Sequence, residues 1–255
     1  MCRPKMCGIY FFIHFKQTQG IIPSKTMAEL AKIKHRGPDE TQIRHFDSTV
    51  NKVSVTTAFH RLAIMDTSHA AMQPFEYNGM FCLINGEIWN SAALMQKLPN
   101  YSAHSQSDCE VILPLFEYFE KDIIKLCQAL DGEYSFVIYD SNVDMIYMST
   151  DELSVRPLFY SLSEEGFGVA SESKALSHNI SRLNPGNCCS WNVHQMLADK
   201  KCFNQQFIMY HNLEDYKIQY KSYEKVRNKL KARFISSVQK KSHADRKIGC
   251  LLSGG

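Results

Sequence analysis

The run Met6-Cys7-Gly8-Ile9-Tyr10-Phe11-Phe12 constrains this chain more than any other stretch. A cysteine beside a glycine opens a short apolar segment that reads as a buried strand. Cys7 itself has two readings. As a core residue it is one more free thiol on a strand, where free cysteines are commonly found. As a terminal residue, exposed by removal of what precedes it, it would carry its own α-amino group beside its sulfur. That amine, with a pKa of about 7.7–8.0, is partly neutral at physiological pH and can take the thiol proton.

Composition narrows the classes. The 255 residues are 44% hydrophobic and 22% charged, enough for one large domain or for one domain plus part of another. A net charge of +3 is too small to predict a nucleic-acid partner. No apolar run reaches the length of a membrane span, and the N-terminal one is broken by His14 and Lys16. Neither a span nor a signal peptide is therefore expected. Nine irregularly spaced cysteines with no CxxC pair predict a reducing, cytoplasmic setting rather than a disulfide scaffold. Cys188-Cys189 lacks a partner pair at zinc spacing, so no metal is expected.

Along the chain, Ser24 reads as the N-cap of a helix burying Met27, Leu30, Ala31 and Ile33. The helix ends near a polar turn, His35-Arg36-Gly37-Pro38-Asp39-Glu40, which on its own reads as a solvated connection. Lys52 to Met65 is β-like, interrupted by Arg61. A guanidinium there either faces solvent or is held for a ligand carboxylate. Met80 to Ile84 reads as a strand running into Asn85-Gly86-Glu87. Asn-Gly is a hairpin signal, yet it also sets a side-chain amide beside a backbone N–H, the two donor types of an oxyanion hole. Helices are expected over Asn90–Leu98 and Cys109–Glu120, the latter capped by Ser107 or Asp108. Strands follow at Tyr134–Tyr139, Met145–Met148, Arg156–Tyr160, Gly166–Ala170 and Cys188–Val193. From His194 the composition reads as a linker. Ser222–Lys241 then repeats Val226, Leu230, Phe234 and Val238 as an amphipathic helix with a basic far face. Lys247–Leu252 reads as a strand entering Ser253-Gly254-Gly255, a weak phosphate-cradle signal.

Taken in order, MCGIYFF (6–12), HRGPDE (35–40), FHRLAIMD (59–66), QPF (73–75), INGEIWN (84–90), SDCEVIL (107–113), LDGEYSFVIYD (130–140), RPLFY (156–160), SES (171–173), PG (185–186) and KIGCLLSGG (247–255) resemble the glutamine-dependent asparagine synthetases. The resemblance implies an α+β fold. Residues 7–193 would form a class II glutamine amidotransferase domain, a four-layer α/β/β/α sandwich of the N-terminal-nucleophile type. Residues 194–221 would be a linker, and 222–255 would begin a truncated α/β ATP-pyrophosphatase domain. It also implies roles. The Cys7 thiol would attack glutamine, Asn85 and the Gly86 N–H would hold the oxyanion, and Arg61 would pair with the substrate α-carboxylate. Glu87 and Asp108 would hold its α-ammonium, with Leu62, Ala63, Ile64 and Met65 lining the substrate. Leu252, Ser253, Gly254 and Gly255 would be a partial ATP loop. ATP and Mg2+ would serve the amidation of aspartate in the full synthetase, and none would be needed for glutamine hydrolysis. A homodimer or a complementing synthetase chain is the expected partner.

Two departures from the family bear on these expectations. Family members carry the cysteine directly after the initiator methionine, whereas here Met1-Cys2-Arg3-Pro4-Lys5-Met6 precede Cys7. Three readings follow: a start at Met6, trimming of the extension to Cys7, or exposure of Cys2; the first is preferred, and Cys2 is disfavoured because it is followed by Arg3-Pro4 and not by Gly-Ile. The chain also stops at Gly255, so a glutaminase half that cannot make asparagine alone is expected. Its last stretch would then expose an apolar helix face and an unpaired strand. The competing expectation is a non-catalytic remnant or partner-binding module of the same fold.

Overall fold

The computed structural model describes residues 6–48, 52–198, 207–211 and 222–249. In chain order the strands are β1 (Gly8–His14), β2 (Glu40–Asp47), β3 (Ser54–Arg61), β4 (Phe75–Tyr77), β5 (Met80–Ile88), β6 (Gly132–Asp140), β7 (Met145–Thr150), β8 (Phe159–Leu162), β9 (Gly166–Ala170), β10 (Ile180–Arg182), β11 (Asn187–Asn192) and β12 (Phe207–Met209). The helices are α1 (Ser24–Ala31), α2 (Ser91–Met95), α3 (Ile112–Tyr118), α4 (Ile123–Ala129), α5 (Val193–Ala198) and α6 (Tyr223–Lys240). Short 3-10 turns intervene, including Asp108–Val111 directly before α3.

The strands form two six-stranded sheets, ordered β10-β8-β9-β1-β3-β2 and β12-β11-β7-β6-β5-β4. Every strand pair is antiparallel. Alternation along the strands sorts side chains into layers. Ile9, Phe11 and Ile13 of β1 meet Leu83, Val137, Tyr139 and Met148 of the other sheet in a shared core. The opposite face of β1, Tyr10 and Phe12, packs with Leu30 and Ile33 at α1. On the far side, Cys82, Ile84, Phe136 and Ile138 pack against Ile112, Leu115, Phe116 and Leu126 of α3 and α4. The result is the expected α/β/β/α sandwich. With helices covering both outer faces, all seven residues of β1 are buried, which explains its unbroken apolar run.

Several local expectations are corrected. Pro23, not Ser24, holds the N-cap position of α1, and it makes no side-chain cap hydrogen bond. The buried face of α1 is Thr26, Glu29 and Leu30, while Met27 is exposed. Glu29 goes inward because it accepts the Tyr10 hydroxyl at 2.9 Å, a polar contact that an apolar pattern does not reveal. Arg156 lies before β8, not within a strand. The polar turn is followed by β2, and α4 precedes β6; neither was expected. α4 is capped by Asp122, whose carboxylate accepts the N–H groups of Ile124 and Lys125. Asn85-Gly86 is not a hairpin turn: β5 runs on to Ile88, pairing Asn85 with Ser135 and Gly86 with Tyr134.

Within 194–221, the described residues include most of α5 and the strand β12, which extends the second sheet beside β11. The amphipathic helix is present as α6, and Leu230, Phe234, Ile235 and Val238 on it are exposed. Lys247–Gly249 is not in a strand, and 250–255, with the expected phosphate loop, lies outside the described residues. No helix among the described residues is long and apolar enough to cross a membrane.

Candidate active site

Cys7 enters β1 at the end of the first sheet. Its sulfur is bracketed by one residue: the Leu62 N–H donates to Sγ at 3.3 Å, and the thiol donates to the Leu62 carbonyl at 3.5 Å. Burial pushes the Cys7 thiol pKa up, while the Leu62 N–H and the cations Arg61, Arg156 and Arg36 pull it down. The backbone at Cys7 is fixed from the side, since Arg36 Nε donates to its carbonyl at 2.9 Å while Nη1 of the same guanidinium pairs with Glu172 at 3.1 Å. The polar turn around Arg36 is therefore not a solvated connection. Gly37 in that turn passes so close to β3 that a Cβ would lie 2.0 Å from the His60 carbonyl oxygen.

A cavity of about 290 Å³ opens at this sulfur. It is lined by Cys7, Arg61, Leu62, Ile64, Met65, Asn85, Gly86, Glu87 and Asp108, among others. Residues as far apart in the chain as Cys7 and Asp108 thus meet because β3 and β5 belong to two sheets that converge there. Ala63 is the exception and does not line the cavity: its N–H goes to Asp39 at 2.9 Å and its carbonyl to Arg246 at 3.1 Å.

Each polar group is held in a distinct way. Asn85 is 2% exposed, and its side-chain Nδ2 has no hydrogen-bond partner. A buried donor left unpaired costs about 1–3 kcal/mol, so its place on a cavity wall marks it for a ligand acceptor. Gly86 is required by close approach, because a Cβ would meet the Glu133 carbonyl oxygen at 2.2 Å. Arg61 is buried at the end of β3 and donates to the carbonyls of Ser68, at 2.5 Å, and Asp66. Asp108 accepts the Ile88 N–H at 2.6 Å. Burial raises its pKa to about 6, against the pull of that N–H and with the added push of Glu87. Two carboxyl groups and a guanidinium around one cavity suit a zwitterionic amino acid.

Among the lining residues that sequence reasoning missed are Arg156, Met6 and Gln73. Arg156 pairs with Glu133 at 2.5 Å and touches the Met6 sulfur. Met6 itself lines the cavity, its N–H bound to the Arg36 carbonyl at 3.1 Å. Gln73 accepts the Ile84 N–H at 2.7 Å and so steadies the strand that carries Asn85. The motifs RPLFY and QPF contain Arg156 and Gln73, so both positions lie in stretches that carry the family resemblance although neither has a role in the expected site. A second cavity, of about 240 Å³, shares Met65, Glu87 and Asp108 and is bounded further out by Trp89, Lys240 and His243. No group of three or more His, Cys, Asp or Glu among the described residues could hold a metal.

The chain is similar to a probable glutamine-hydrolysing asparagine synthetase of Acanthamoeba polyphaga mimivirus, 33% identical over 98% of this chain and 47% of that protein. The glutamine-hydrolysing asparagine synthetases of Rattus norvegicus and Homo sapiens are 31% and 30% identical, each over 98% of this chain and 46% of their own length. The chain spans about half the length of the curated relatives it matches. Its fold is that of the glutamine phosphoribosylpyrophosphate amidotransferase of B. subtilis, with a TM-score of 0.60 at 19% identity over 80% of this chain and 49% of that one. The glutamine amidotransferase domain family matches residues 6–232, and the chain belongs to that family.

Proposed function

We propose that this chain is the glutamine-hydrolysing part of an asparagine synthetase, with Cys7 as the nucleophile. The observation that carries the reading is the unpartnered Nδ2 of Asn85, a buried donor on the wall of the cavity that holds the Cys7 sulfur. Sγ attacks the side-chain amide carbon of glutamine. The oxyanion that forms is held by Asn85 Nδ2 and the Gly86 N–H. Collapse expels ammonia and leaves a γ-glutamyl thioester, which water hydrolyses to glutamate. Arg61 takes the α-carboxylate of the substrate, and Glu87 and Asp108 take its α-ammonium. Opposite charges about the α-centre select free glutamine over a glutaminyl side chain.

The raised thiol pKa calls for a base at the sulfur. Freed by removal of Met6, the α-amino group of Cys7 would be that base, taking the thiol proton and passing it to the leaving ammonia. Met6 now lies on the cavity wall, so its removal would also widen the site. Ammonia would leave past Met65, Glu87 and Asp108 through the adjoining cavity. The cytoplasm is the proposed setting, supported by the free cysteines among the described residues.

On this reading 7–193 is the amidotransferase domain, 194–221 a linker whose strand β12 is added to that domain's second sheet, and 222–255 the start of the synthetase domain. The ATP- and Mg2+-dependent amidation of aspartate belongs to the half of the relatives that this chain does not span. Residues 252–255, the expected ATP loop, lie outside the described residues, so no step is assigned to them. The test is ammonia release from L-glutamine by the chain with Cys7 as its first residue. Release that Cys7→Ala abolishes supports the reading; no release from a folded chain rejects it in favour of a non-catalytic module.

A further inference from the structure

The loop 62–68 supplies Leu62, Ile64 and Met65 to the cavity, while its outer edge is held by residues from the far end of the chain. The Asp245 N–H donates to the Ile64 carbonyl at 3.0 Å, and the Asp66 N–H donates to the Asp245 carboxylate at 2.6 Å. Arg246 Nε donates to the Ala63 carbonyl at 3.1 Å, and its guanidinium lies 4.0 Å from the Asp39 carboxylate. Three consecutive stretches of the loop backbone are thus tied to a two-residue segment that follows α6. The same end of α6 is fastened to the domain by Lys240 on Asp131, by Lys241 on Glu133 at 3.3 Å, and by Lys241 stacked 4.8 Å over Trp89.

Asp66 is the relay. It sits in the left-handed region at φ 49°, which a non-glycine residue adopts only when its surroundings hold it there. Its N–H is bound by Asp245, and its carbonyl accepts from Arg61. Its own carboxylate caps Ser68 at 2.9 Å and Gln106 at 2.7 Å. Release of Asp245 removes the outer restraint on Asp66 and so loosens one of the two carbonyls, Asp66 and Ser68, that seat the Arg61 guanidinium.

We infer that Asp245 and Arg246 are positioning residues for the glutamine site, latching the 62–68 loop so that Arg61 is aimed at the substrate carboxylate. This rests on the glutamine reading of the cavity. The latch makes glutamine affinity depend on where the end of α6 is docked. Both residues are exposed, so the latch is reversible, unlike the buried anchor that Arg36 gives Cys7.

The test is protection of Cys7 from iodoacetamide by L-glutamine, read by peptide mass spectrometry on the full chain. Each variant's own rate without glutamine is its reference. Asp245→Ala should raise the half-protecting glutamine concentration about tenfold, the equivalent of one charged hydrogen bond. Asp245→Asn, which keeps an acceptor for the Asp66 N–H, should stay within about twofold of wild type. Equal protection in Asp245→Ala and wild type overturns the inference, as does an equal shift in the Ala and Asn variants. Should Asp245→Ala not fold, Arg246→Ala carries the same test through the Ala63 carbonyl. Labelling of wild-type Cys7 that no concentration of glutamine slows is a different failure, that of the glutamine reading itself.

Discussion

The Leu62 backbone both donates to the Cys7 sulfur through its N–H, at 3.3 Å, and accepts from it through its carbonyl, at 3.5 Å. Cys7 is therefore seated on the same loop that follows Arg61 and lines the cavity. Burial outweighs the Leu62 N–H and the three nearby arginines, so the thiol is held above its usual range. With its amine blocked, Cys7 should alkylate slowly at neutral pH and faster as pH rises, still climbing at pH 8.5, where an ordinary cysteine is about half ionised. Arg156→Ala removes a cation and should slow alkylation further at pH 7.5. Rates of iodoacetamide labelling against pH check both.

Asp108 gives a second pH signature. Its folded-state pKa of about 6 lies above its unfolded value, so the stability it contributes is present below about 3.8 and lost as pH rises through about 6. The free protein should therefore gain from Asp108→Asn at pH 7, seen as a higher thermal midpoint. Glutamine binding should move the other way, because only the ionised carboxylate pairs with an α-ammonium. The wild-type KM should rise as pH falls below about 6. In Asp108→Asn it should be raised about tenfold or more and lose that pH dependence. Steady-state kinetics between pH 5 and 8 decide this.

Asn85→Ala should lower kcat about 10²- to 10³-fold with KM little changed, the pattern of a donor used chiefly in the transition state. Gly86→Ala is a different kind of lesion. Its Cβ would collide with the Glu133 carbonyl, so strand pairing of β5 with β6 is lost and the protein should not accumulate in folded form. Circular dichroism separates the two.

The face of α6 carrying Leu230, Phe234, Ile235 and Val238 is apolar and exposed. Contiguous apolar surface of this kind is normally covered. The chain should self-associate in sedimentation velocity, and Leu230→Glu with Phe234→Glu should return it to monomer. A wild-type chain that sediments as a monomer at the highest concentrations would contradict this.

How much could be read beforehand follows from which contacts are local. β1 and β9 were legible because burial on both faces leaves an apolar run in the sequence. Asn85-Gly86 has a strong local preference for a turn, and long-range pairing with Ser135 and Tyr134 overrides it. The apolar face of α6 was visible in its spacing, whereas the buried face of α1 was not, since it includes Thr26 and Glu29. α4 left a signal, Asp122 as cap, at the head of a helix too short for its periodicity to stand out. Asp245 left none: an exposed acid in a polar stretch acquires its contact only when the chain brings it 179 residues back to Asp66. The cavity residues were recognisable as motifs, but their convergence and the unpaired Asn85 amide belong to the folded chain alone.

The most direct test of Cys7 as the nucleophile toward glutamine is covalent capture. The chain, with Cys7 exposed as its first residue, is mixed with a diazoketone analogue of glutamine and its intact mass and peptides are measured. The account predicts one adduct per chain, on Cys7, whose formation L-glutamine slows and which Asn85→Ala and Asp108→Asn weaken. No adduct on Cys7, or an adduct that glutamine does not slow, would contradict it.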